Sequence, residues 1–105
     1  MNFKALGEQL GLDEEEYREL IDLFIESGGA DYQKLLDGVA AGDADTVRRC
    51  AHTIKGASGN LGLLEVSEVA SSIEESAMNN KLEDIGQAVE KLKTQFGAIE
   101  AFVQK

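Results

Sequence analysis

Three observations predict an all-α fold, an antiparallel up-down four-helix bundle with a short extra N-terminal helix. The 105-residue chain contains no proline, so no helix interior is barred by a missing amide or a ring clash. Ala, Leu, Glu, Lys and Gln are abundant and runs of β-branched residues are absent, a composition that favours helix throughout. Apolar residues recur at steps of three and four, the period of one helical face. With 43% hydrophobic residues, the chain can fill the core of one small domain, residues 1–105. It shows no internal repeat, low-complexity tract or linker.

Residues 2–10 read as a short helix that ends at Gly11. Asp13 and Glu16 then have the spacing of a capping box. The face that follows, Ile21, Phe24, Gly28, Tyr32, Leu35 and Val39, keeps its phase across the Gly28-Gly29 pair. One long helix over 14–41 is predicted, with a break at the glycines as the alternative. Gly28 leaves room for a neighbouring helix to approach. Gly42 is a stop signal and Asp43 an N-cap. The third helix runs from there to about position 61, closed by Gly62, with Val47, Ala51, Ile54, Ser58 and Leu61 inward. The fourth spans 64–78, with Val66, Val69, Ala70, Ile73 and Ala77 inward, and Asn79-Asn80 makes the turn. The last is predicted over 82–103, since Leu82, Ile85, Val89, Leu92, Phe96 and Ile99 again repeat at three and four. Connections this short make successive long helices antiparallel neighbours.

The formal net charge is −10, which repels nucleic acid and anionic lipid. No apolar run reaches transmembrane length, and the N-terminus lacks a signal-peptide core. A single cysteine, Cys50, excludes an internal disulfide and reads as a packed thiol in a reducing compartment. A cytoplasmic location is therefore expected. The initial methionine and compact length suggest a complete protein, and no dimerisation helix is evident, so a monomer is expected.

Three of the ten basic residues, Arg48, Arg49 and Lys55, cluster around His52, the sole histidine. With Val47, Ala51, Ile54 and Ser58 facing inward, His52 points roughly 140° away from the core direction. Arg48, Lys55, Gly56 and Gly59 lie on its side of the helix. Two helical glycines one turn apart each cost about 1 kcal/mol relative to alanine. What they offer in return is a bare surface on which another protein's backbone can approach the imidazole.

The run from Ala51 to Gly62 resembles the histidine-containing phosphotransfer (HPt) domain family. His52 is followed by Lys55 three residues on, Gly56 four on and Gly62 ten on, with small Gly59 at the seventh position. The resemblance implies a phosphorelay protein. His52 would take a phosphoryl group from a histidine kinase or a receiver aspartate and pass it to an aspartate of a response-regulator receiver domain. A histidine titrates near neutrality, so a neutral nucleophilic nitrogen is available; Nε2 is the expected one. Lys55, one turn on, would offset charge on the phosphoryl oxygens, with Arg48 as a weaker helper. The family also places a polar residue of the adjoining helix on the other ring nitrogen, and that position here is Glu74. Ser71 and Ser67 share its flank. A carboxylate there would fix the imidazole tautomer. Docking is expected on the His52 face and its neighbouring helix, at Arg48, Gly56, Gly59, Ser71 and Met78, with exposed small or apolar positions such as Ala57 as further contacts. It implies no cofactor on this chain, since Mg²⁺ belongs to the partner receiver.

Rival readings are weaker. An outward histidine is no core filler. Di-iron bundles need Glu-x-x-His motifs, and position 49 is arginine. No phosphate-binding G-x-x-x-x-G-K-[ST] is present, which argues against a kinase and for a carrier without an ATP site. The remaining rival is a helical adaptor that docks but carries no phosphate; intact His52 and Lys55 argue against it.

Overall fold

The computed structural model describes residues 2–103; Met1, Gln104 and Lys105 lie outside the described residues. Among the described residues, five α-helices, α1 (Phe3–Gln9), α2 (Glu14–Ala41), α3 (Ala44–Asn60), α4 (Leu64–Met78) and α5 (Gly86–Val103), and one 3₁₀ turn, Leu82–Asp84, make up the regular structure. α3 packs between α2 and α4, and α5 closes the bundle against α4 and α2. The two- and three-residue connections leave α2, α3 and α4 antiparallel, as expected. α1 packs on α2 and places Phe3 against the rings of Tyr17 and Phe102.

Local signals account for the boundaries. Asn2 caps α1. Asp13 and Glu16 form the reciprocal capping box that starts α2, at 2.8 and 3.1 Å. Asp43 caps α3 through the amide of Thr46. The first four helices all stop in the same way. Each turns through a left-handed residue, Gly11, Gly42, Gly62 or Asn80, and an amide beyond it bonds back to a carbonyl five positions earlier, as in a Schellman ending. Gly62 is therefore a turn residue in this chain, at φ +77, and its place in the histidine motif is architectural.

α2 continues through Gly28-Gly29 without a break. The two glycines differ in kind. A Cβ on Gly28 would lie 3.0 Å from the Phe96 ring of α5, which stacks on Phe24 and tilts against Tyr32. A Cβ on Gly29 would meet nothing within 4 Å. The predicted close approach at Gly28 is thus an α2–α5 contact.

One boundary is corrected. The last helix begins at Gly86 rather than at 82, because 82–84 forms a separate 3₁₀ turn. Leu82 and Ile85 still face the core. A three-residue step keeps two side chains on one side in a 3₁₀ turn as well as in an α-helix, so the apolar period ran through a change of helix type.

The predicted inward residues of α3 and α4 are buried except Leu61, which is half-buried and uses its carbonyl to accept the Tyr17 hydroxyl. Cys50 is buried, and burial pushes its thiol pKa up. Among the described residues, no helix is long and apolar enough to cross a membrane.

Candidate functional site

The α3–α4 seam carries the site. A hydrogen bond joins the two helices beside it. A Cβ on Gly59 would meet only Ser67 Oγ, at 3.5 Å. The Ser67 hydroxyl donates to the Lys55 carbonyl at 3.2 Å, and the Ser58 hydroxyl donates to that carbonyl and, at 2.7 Å, to that of Ile54. Two turns beyond Ser67, the same face of α4 presents Glu74 to His52 and Lys55.

Glu74 is only 12% exposed and uses both carboxylate oxygens. Oε2 lies 2.7 Å from His52 Nδ1, and Oε1 accepts from Lys55 Nζ at 2.6 Å. The Lys55 ammonium first, and the His52 contact after it, hold the Glu74 carboxyl below the usual range against the opposing effect of burial. An ionised carboxylate only accepts hydrogen bonds, so Nδ1 carries a proton, and the tautomer this selects in the neutral ring leaves the lone pair on Nε2. The His52 side chain is 64% exposed, and Nε2 has no partner among the described residues.

The sequence reading placed His52, Lys55 and Glu74 in one site, and the structure brings all three together. The link between Lys55 and Glu74 had no signal in the sequence, because 19 positions on different helices separate them. Asp45 was also missed. It binds both arginines beside the histidine, Arg48 at 2.9 Å and Arg49 at 3.2 Å. Its i, i+3 and i, i+4 spacing was visible in the sequence. Arg48 is thereby tied back toward the start of α3.

The anticipated docking positions differ in exposure. A Cβ on Gly56 would meet nothing within 4 Å, and Gly56 and Gly59 are exposed. Met78, four residues after Glu74, is 64% exposed. Ala57 and Ser71 are half-buried. An exposed imidazole with a fixed tautomer, a cation one turn on and bare backbone beside both suits a nucleophile that reacts with a group on another protein.

Residues 19–102 match the Hpt domain family, and the chain belongs to that family. It is a phosphotransfer signalling protein of two-component phosphorelays. The fold is similar to that of histidine-containing phosphotransfer protein B (HptB) from Pseudomonas aeruginosa PAO1. That crystal structure matches with a TM-score of 0.85 and 26% identity, over 99% of this chain and 90% of that one. No curated protein matches the chain. Members of the family are phosphocarriers rather than classical enzymes, and they interact with histidine kinases and response regulators.

Proposed function

We propose that His52 is the phosphoacceptor, attacking through Nε2. The observation that carries this reading is the 2.7 Å contact from Glu74 Oε2 to Nδ1 on an imidazole that is otherwise exposed. The phosphoryl group arrives from a receiver phospho-aspartate or a kinase. The Nε2 lone pair forms the N–P bond as the donor's own bond to phosphorus breaks, P–O in a receiver phospho-aspartate or P–N in a kinase phosphohistidine, and the donor atom leaves with that electron pair. Nδ1 keeps its proton throughout, stabilised by the Glu74 carboxylate as the ring gains positive charge. Lys55 offsets charge on the phosphoryl oxygens. The reverse steps deliver the group to a receiver aspartate.

The partner docks across Arg48, Gly56, Ala57, Gly59, Ser71 and Met78, with the bare backbone at Gly56 admitting its loop closest to the ring. In this reading the chain has no ATP site of its own and acts as a cytoplasmic monomer. The Mg²⁺ required for transfer sits in the receiver's acidic pocket.

The test is to incubate the protein with a phosphorylated receiver domain or an autophosphorylated kinase and to look for an acid-labile, base-stable phosphate. It should appear on the wild type and vanish in His52→Gln. Receiver binding and signalling unchanged in His52→Gln would instead identify a docking adaptor.

A further inference from the structure

The lysine that should serve the phosphoryl group is already occupied. Lys55 Nζ lies 2.6 Å from Glu74 Oε1, on the carboxylate whose other oxygen holds Nδ1. Nζ is therefore drawn to the Nδ1 side of the ring, while the phosphoryl group would be attached at Nε2. The lysine stem is long and flexible, its ammonium has three donors, and its side chain is 35% exposed, so it is free to swing. A phosphoryl group brings close to two negative charges and three strong acceptor oxygens. It sits one helical turn from Lys55, within side-chain reach.

We propose that Lys55 is a two-position cation, held by Glu74 while His52 is unmodified and transferred to the phosphoryl oxygens once Nε2 carries them. Glu74 is then a positioning residue for Lys55 as well as for the ring. It sets how strongly phosphohistidine is favoured, because every phosphorylation gives up one lysine–carboxylate pair to form a lysine–phosphoryl pair. No bond beyond the N–P and P–O bonds of the transfer changes, and no proton leaves the site. The inference rests on His52 being the acceptor.

The experiment is a double-mutant cycle read as an equilibrium. Lys55→Met, which keeps the apolar stem, is made in the wild type and in Glu74→Gln, which keeps an acceptor for Nδ1 without the charge. Each protein is equilibrated with a receiver domain phosphorylated by acetyl phosphate, and the phosphoryl group is apportioned between His52 and the receiver aspartate. Lys55→Met should lower the phosphohistidine share in both backgrounds. The loss should be about two- to fivefold larger in Glu74→Gln, the size of one partly exposed ion pair, because there the lysine has no competing carboxylate. In parallel, the ¹⁵N resonance of Lys55 Nζ should move when wild-type protein is phosphorylated with phosphoramidate. An equal or smaller Lys55→Met effect in Glu74→Gln, or an unmoved Nζ resonance, would overturn the exchange and leave His52 as acceptor. Folded wild-type protein that takes no phosphoryl group on His52 from either donor would overturn the functional reading itself.

Discussion

At His52 the proton sits on Nδ1 because the group facing it, the Glu74 carboxylate, has none to give. The same carboxylate depends on Lys55, the largest cause of its lowered pKa. A carboxyl held low stabilises the fold fully above its unfolded value, about 4.3. That contribution disappears as pH falls through the still lower folded value. The stability difference between wild type and Glu74→Gln in urea unfolding should therefore shrink as pH falls below about pH 4. A difference that grew below about pH 4 would contradict an ionised Glu74 in the native state. Lys55→Ala should slow phosphoryl transfer about tenfold, or roughly 1.4 kcal/mol of barrier, in rapid-quench assays, with the helical circular dichroism spectrum retained.

The glycines show how an element serves both packing and docking. Gly29 is exposed and a side chain there meets nothing, so Gly29→Ala should raise stability by about 0.5–1 kcal/mol through helix propensity and chain entropy. Gly28→Ala would push a methyl toward a Phe96 ring already fixed between Phe24 and Tyr32, and should lose about 1 kcal/mol despite the same propensity gain. Thermal unfolding of the pair checks both signs. Gly56 is open in the same sense as Gly29 yet lies one turn from His52. Gly56→Ala should stabilise the free protein by about 0.5–1 kcal/mol while weakening receiver binding in calorimetry. Unchanged binding would remove Gly56 from the docking face.

Across the whole molecule, the site lies away from the end of the bundle held by α1. Leu61 is nine residues beyond His52, about 13 Å along α3, and its carbonyl accepts the hydroxyl of fully buried Tyr17. Phe3 packs against Tyr17 and Phe102, and Arg18 reaches over the Phe3 ring to the Val103 carbonyl at 3.0 Å. Tyr17→Phe removes one buried donor and should cost about 1–2 kcal/mol of stability. Phosphoryl-transfer rates at saturating receiver should not change, and the stability cost should add to that of Glu74→Gln. A marked loss of transfer would mean that the two ends are coupled through α3.

The sequence by itself determined the helices, their caps and the outward face of His52. These follow from short-range physics: capping residues within three positions, left-handed turn residues, and an apolar period that assigns each side chain to a face. The period could not separate a 3₁₀ turn at 82–84 from the start of α5, because both keep residues three apart on one side. Resemblance to a family supplied Glu74, and helix periodicity alone gave it only a flank. Only the tertiary structure decided that one carboxylate serves both Nδ1 and Lys55, that Gly28 belongs to Phe96, and that Gly56 is left open. Those relations depend on the spacing and register of helices packed side by side. The α3–α4 pairing that brings Glu74 onto His52 and Lys55 is a property of neither helix alone.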